Sequence, residues 1–109
     1  MNDVILIKVS DFSKSPFGRV KEDGPNNGRR FRTETLCKAL KVSNVTVDMD
    51  SGLDEGYEYG SSFLHEAFGG LVMHEGFKAA DLKKRLTVVS SHEDVLMEVW
   101  DYINDPAGY

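Results

Sequence analysis

Tyr59-Gly60-Ser61-Ser62-Phe63-Leu64-His65-Glu66-Ala67-Phe68-Gly69-Gly70-Leu71-Val72 is the stretch on which the fold of this chain turns. It follows a β-branched run, Val45-Thr46-Val47-Asp48-Met49-Asp50, and a loop rich in glycine and acid. Gly60-Ser61-Ser62 reads as a helix start, where a hydroxyl can accept a hydrogen bond from N–H groups that have no partner inside the helix. Leu64, Ala67, Phe68 and Leu71 then recur at i, i+3, i+4 and i+7, which is one apolar helical face. Gly69-Gly70 falls inside that helix. Glycine weakens a helix, so a pair there needs a reason, such as close approach of another backbone.

Upstream, Val4-Ile5-Leu6-Ile7-Lys8-Val9 is a strand by its β-branched apolar content. Asp11 to Pro16 is a turn, and Phe17-Gly18-Arg19-Val20 is expected to be a short second strand pairing with the first. Glu22-Asp23-Gly24-Pro25-Asn26-Asn27-Gly28 is a dense loop signal. Arg29 to Leu40 is helical, with Thr33, Leu36, Cys37 and Leu40 on one face. Val45 to Asp50 follows as the third strand. Downstream of the central helix, Gly76 is a C-cap and Ala79 to Lys84 a short helix. Arg85 to Val89 is a fourth strand. Ser90 and Glu93 have the spacing of a capping box for a last helix that turns Val95, Leu96, Val99, Trp100 and Ile103 inward. Asp105-Pro106 stops it, leaving residues 105–109 as a tail. Strands alternating with helices after an opening hairpin imply a single α/β domain over residues 1–109. Its mixed sheet would carry about three to four helices, mainly on one face.

The chain has 109 residues, 40% of them hydrophobic and 28% charged, which suits one globular domain. No apolar run approaches the roughly 20 residues of a membrane span. Met1-Asn2-Asp3 lacks the positive start of a secretory signal. The single cysteine, Cys37, excludes an internal disulfide framework and reads as a buried helix thiol. A reducing cytoplasm is the simplest location. The net charge of −5 is unevenly spread. Between Val42 and Phe77 there is no lysine or arginine, while Asp48, Asp50, Asp54, Glu55, Glu58, Glu66 and Glu75 all lie there. Arg19 to Lys41 has the opposite bias. An acidic surface around the central helix would suit a basic partner.

Other chemistries are weaker. Gly24, Asn26, Asn27 and Gly28 precede a helix that bears Arg29, Arg30 and Arg32, and such a loop could cradle a phosphate or nucleotide. It lacks Gly-Lys-Ser/Thr and a full Gly-x-Gly-x-x-Gly, so a turn with a solvated basic helix face is the simpler reading. One arginine cluster on an acidic protein is thin evidence for nucleic acid. Asp48 and Asp50 share a strand face and could hold Mg²⁺, but a polar strand exit is preferred. His65, His74 and His92 have no metal-ligand spacing, and Ser61-Ser62 lacks the nucleophile elbow Gly-x-Ser-x-Gly. No metal, cofactor or catalytic residue is assigned, and the chain does not read as an enzyme.

The run Gly60-Ser61-Ser62-Phe63-Leu64-His65-Glu66-Ala67-Phe68-Gly69-Gly70-Leu71-Val72 resembles the signature of the STAS-like domains of unknown function. Phe17-Gly18-Arg19, Asp23-Gly24-Pro25, and Gly28 with Phe31-Arg32 match the same family more weakly. The resemblance covers roughly Ile5 to Ile103. More distantly, the chain is similar to STAS domains, including bacterial anti-anti-sigma factors. In those, an Asp-Ser-Ser-Gly-Leu-like motif begins the helix after the third strand, and its first serine is phosphorylated by a kinase partner, breaking their complex. Here that serine is Ser61, with Ser62 beside it; Gly60 replaces the aspartate, and Phe63-Leu64 replaces Gly-Leu. The resemblance implies a STAS-like regulatory module whose partner is a protein such as a histidine-kinase-like ATPase. The expected docking surface is Asp54, Glu55, Glu58, Ser61, Ser62, His65 and Glu66, with Ser61 or Ser62 as the phosphorylation site.

Overall fold

The computed structural model describes residues 4–108; the N-terminal residues Met1 to Asp3 and the last tail residue, Tyr109, lie outside them. Three strands form a parallel sheet in the order β1 (Val4–Lys8), β2 (Asn44–Asp48), β3 (Leu86–Val89). Five helices accompany it: a single turn α1 (Val9–Phe12), α2 over 28–40, α3 over 61–73, α4 (Ala79–Arg85) and α5 (Glu93–Asn104). The class is α/β. Parallel neighbours require crossover connections, and the helices between successive strands supply them.

The strand period of two decides where the core lies. Ile7, Val47 and Val88 are in register and buried, as are Val45 and Leu86. The alternate row is open: Leu6, paired through Thr46 to Thr87, is 61% exposed, and Val4 and Val89 are exposed beside it. The helices therefore cover one face, in two layers. Within the core Phe31, Phe63 and Phe68 meet, with Phe31 lying 5.8 Å from Phe63 and 6.4 Å from Phe68 between ring centroids. No helix among the described residues is long and apolar enough to cross a membrane.

The opening hairpin does not form. Residues 17–20 join no strand of the sheet, which is wholly parallel among the described residues. Their backbone instead pairs with the start of α2: Phe17 N–H donates to Asn26 O (2.8 Å), Gly28 N–H to Gly18 O (2.9 Å) and Arg29 N–H to Arg19 O (2.9 Å). Gly18 sits at φ 84°, a left-handed turn that glycine adopts without strain. The capping box at Ser90 is also absent. His92 is the N-cap of α5 without a side-chain cap, and the Ser90 hydroxyl accepts from His92 N–H (3.0 Å) while donating to Asp50. At the other end of α3, Gly76 is left-handed at φ 82°, which lets Phe77 N–H return to Leu71 O (3.1 Å). The last described residues form a turn, Pro106–Gly108, fastened to α3 by His65.

Both long helices contain one π turn, at Arg32–Leu36 in α2 and His65–Gly69 in α3. A π turn inserts one residue into the helical phase and frees a carbonyl. In α2 the shift exposes Thr33, expected on the inner face, and turns Arg32 inward, where it is 2% exposed. Its guanidinium pairs with Glu66 Oε2 (2.8 Å) and Glu75 Oε2 (3.0 Å) and donates to the Glu66 carbonyl (2.5 Å). Gly70 explains half of the glycine pair: a Cβ there would lie 2.8 Å from Arg32 Cζ and 2.9 Å from Cδ. The notch receives a guanidinium rather than a backbone. Gly69 packs against Tyr102 O and Pro106.

Candidate functional site

The two long helices begin in opposite ways. At α2 every early N–H is used. Gly28 and Arg29 donate to the 18–19 backbone, Arg30 N–H donates to the Asn27 side chain (2.9 Å), and Phe31 N–H donates to Asn27 O (3.1 Å). Asn27 also donates to Gly24 O (2.7 Å), while Arg30 reaches Pro25 O and Asn26 Oδ1 and pairs with Glu34. Arg30 further lies over the Phe12 ring, 4.9 Å from its centroid. Gly28 is buried against α3, where a Cβ would meet Phe63 O at 2.7 Å. The N–H groups of the possible phosphate cradle at Gly24 to Arg32 are therefore bonded to the chain's own groups, as the simpler reading of a turn before a helix has it. Of its three arginines, Arg32 is spent in the core and Arg30 on the loop; Arg29 is exposed.

At α3 the start is bare. Gly60 is the N-cap, with extended backbone (φ −83°, ψ 144°) and no side-chain bond. Ser61 and Ser62 are the first two helical residues and are exposed, so neither hydroxyl caps the helix, contrary to expectation. Neither makes a side-chain hydrogen bond within the described residues. The N–H groups of Ser61, Ser62 and Phe63 likewise find no acceptor there, leaving the positive helix end open to solvent. Beside them is a depression of about 400 Å³ lined by Phe17, Gly18, Asp23 and the 60–63 turn. Phe17 is 68% exposed. Its backbone is held by Asn26 O, and the Asp23 carboxylate accepts from Arg19 N–H at 2.8 Å, so an apolar ring stands out from a fixed loop.

The remaining expected surface residues divide. Asp54, Glu55 and Glu58 are exposed on the loop leading to α3. That loop is tied down: Ser15 donates to Asp54 (2.5 Å), Tyr57 OH to Pro16 O (2.5 Å) and Tyr59 OH to Met49 O (2.6 Å). Burial pushes the Tyr57 hydroxyl up to about 12 and the Tyr59 hydroxyl further in the same direction. Both stay protonated and donating. His65 is turned away from this corner. Its Nδ1 meets Arg19 Nη1 (2.7 Å) and its Nε2 the Pro106 carbonyl (2.8 Å), so Nε2 carries the proton and Nδ1 accepts. Glu66 is committed to Arg32. His65 and Glu66 thus serve the fold, and the loop and the two serines form the free surface.

Asp48 and Asp50 are the polar exit of β2. Asp48 Oδ1 accepts from the N–H groups of Asp50 (2.9 Å) and Ser51 (3.1 Å). Asp50 takes the Ser90 hydroxyl (2.8 Å), Ser91 N–H (2.6 Å) and the Ser91 hydroxyl (2.9 Å), joining the loops after β2 and β3. Hydrogen bonding, from the Ser51 hydroxyl above all, lowers the Asp48 pKa. For Asp50 burial is the largest influence and acts upward, but the Ser91 and Ser90 bonds and nearby His92 outweigh it, so its pKa is also lowered. A carboxyl held below its unfolded value of about 3.9 adds stability above that pH and loses it as pH falls through the folded value. The denaturation midpoint is therefore expected to fall below about pH 4. Asp50→Asn should flatten that acid limb, and an unchanged slope in urea titrations would contradict the assignment.

Cys37 is buried in α2, as expected. Burial first, then the Glu75 carboxylate, push its thiol up, and Sγ lies 3.7 Å from Glu75 Oε1. The deprotonated, nucleophilic form is disfavoured.

A parallel sheet covered on one face, with a bare helix start after its central strand, defines a two-layer α/β domain. Comparison with protein-family models makes the assignment specific. Residues 27–96 match the STAS-like domain of unknown function (DUF4325), and the chain belongs to that family. Neither the curated proteins nor the solved structures contain a match.

Proposed function

We propose that this domain is a regulatory interaction module whose working surface is the corner where α3 begins. One observation carries the reading: Ser61 and Ser62 lie exposed at an uncapped helix start, their hydroxyls engaged with nothing among the described residues. A residue kept only as a cap would bond to the N–H groups of the first turn. These serines leave both sides unpaired, available to a partner or to a phosphoryl group. The exposed Phe17 ring next to them supplies apolar contact of the kind that anchors interfaces. Asp54, Glu55 and Glu58 supply charge on the other side. The domain acts by docking and carries out no chemistry of its own.

Phosphorylation of Ser61 would add roughly −1.5 to −2 charge at pH 7. The open N–H groups and the helix dipole favour that charge locally, so the helix would hold. A partner drawn to the face would meet altered charge and bulk. The partner class that fits is a protein kinase of the histidine-kinase-like ATPase type, able both to bind the corner and to modify it. In a binding assay with a purified ATPase of that type, Ser61→Asp is expected to weaken the complex about tenfold or more, roughly 1.4 kcal/mol. Its thermal midpoint should be unchanged or slightly raised, because an acid at the first helical turn contributes about 0.3–1 kcal/mol. Unchanged affinity, together with phosphate incorporation that survives Ser61→Ala/Ser62→Ala, would sink the switch.

A further inference from the structure

A second concave feature shares no lining residue with the depression beside Ser61 and Ser62. Between the 50–59 loop and the start of α5 runs a groove of about 400 Å³. Its apolar lining is Leu53, Tyr57, Tyr59, Leu64 and Val95. The two tyrosine hydroxyls are turned to the Pro16 and Met49 carbonyls, so they are already satisfied and the rings offer mainly hydrocarbon and π surface. The same groove carries the carboxylates of Asp50, Asp54, Glu58, Asp94 and Glu98, with His92 and no lysine or arginine. Asp50 is held ionised by its bonds to Ser90 and Ser91, and Glu98 accepts from Tyr102 OH at 3.0 Å. Asp54 accepts from Ser15, while Glu58 and Asp94 are exposed without a side-chain bond among the described residues.

The position matters as well. The walls are the loops that follow β2 and β3, so the groove opens outside the carboxyl ends of adjacent parallel strands. Open parallel α/β sheets place ligands there, because those loops are free to vary above a fixed sheet. An apolar floor under a carboxylate rim also has a defined complement. It excludes an acidic or phosphorylated occupant, whose charge would be repelled in a concave site that focuses the field. It favours long side chains with an apolar stem and a cationic head, which can lie along hydrocarbon while the head meets carboxylate or the face of a tyrosine ring.

We propose that this groove seats a basic, leucine- or valine-bearing segment of the protein partner, with its arginine or lysine heads on Glu58 and Asp94. This rests on the reading of the domain as an interaction module and adds the chemistry and seat of what it binds.

The test is an NMR titration of the full chain, labelled with ¹⁵N, at low salt. The probe is a short synthetic peptide of arginine, leucine and glycine, and its control has glutamate in place of arginine. Shift changes are expected at Leu53, Tyr57, Leu64 and Val95 with the basic peptide and not with its control. Glu58→Gln/Asp94→Asn should weaken binding about tenfold, while Glu22→Gln, on an exposed acid elsewhere, should not. Leu53→Asp separates docking from bulk attraction: it adds negative charge, so attraction alone predicts tighter binding, and a filled apolar floor predicts weaker. Shifts scattered over all acidic surfaces, or equal loss in Glu22→Gln, would overturn the groove. Peptide binding that persists while Ser61→Asp leaves the ATPase complex untouched would remove the switch and keep the groove. Loss of the ATPase complex in Ser61→Asp without peptide shifts in the groove would do the reverse.

Discussion

Arg32→Ala is expected to remove about 3–5 kcal/mol of folding stability, the usual consequence of stripping one partner from a buried ion pair. The Arg32 side chain is 3% exposed and is the only cation bridging Glu66 and Glu75 among the described residues, whose own side chains are 15% and 22% exposed. Truncation leaves two carboxylates facing each other in a largely desolvated site, and it orphans the Glu66 carbonyl that the π turn released. A domain of this kind has about 5–15 kcal/mol in total, so the variant would lie close to unfolding. Urea titration followed by circular dichroism measures the loss. Arg32→Lys should recover only part of it, because a single ammonium cannot present the fork that reaches both acids. A loss under about 1 kcal/mol would mean that the pairs are solvent-screened and contribute as surface bridges do.

Gly70→Ala is expected to destabilise by about 1–3 kcal/mol, against the grain of helix propensity, which by itself would favour alanine by about 1 kcal/mol. The added Cβ would fall within 3 Å of both Arg32 Cζ and Cδ. A guanidinium at the end of a free chain would step aside, but this one is fixed by Glu66 and Glu75, and moving it breaks both pairs. The sign should therefore depend on residue 32. On an Arg32→Ala background the notch is empty, and Gly70→Ala should be neutral or stabilising. The double-mutant cycle should give a coupling of about 2 kcal/mol. Additive effects would show that the glycine is present for some other reason.

The strands and the long helices could be read from periodicity, because each buries a clean apolar face: Ile7, Val45, Val47, Leu86 and Val88 on the sheet, Leu64, Ala67, Phe68 and Leu71 on α3. The segment Phe17 to Val20 could not. Its composition suits a strand, but its backbone partners are the amides and carbonyls at 26–29, and pairing with a helix start leaves no period to detect. Arg32 was hidden for a different reason. A charged residue counts as surface in any apolar pattern, and the π turn moved the face by one residue, from Thr33 to Arg32. The spacing of Arg32, Leu36 and Leu40 at i, i+4 and i+8 was the signal available, and Gly70 was its counterpart on α3. At the candidate site, the exposed serines and the acidic loop were legible as residue types. That the serines would not cap, and that His65 and Glu66 would be drawn into the fold, depends on contacts with Arg19, Pro106 and Arg32 that lie far away in sequence.

Two apolar helices packed on a sheet can slide past one another by a turn and still bury nearly the same hydrocarbon. The guanidinium of α2 set in the Gly70 notch of α3 removes that freedom. Any other alignment would strand a charge against a Cβ, away from both acids. The effect falls on the competing compact states, which are raised, more than on the native one, which is not lowered by much. The ion network is in that sense an alignment mark, a device that makes the bare corner of α3 stand in one place relative to the sheet rather than in several.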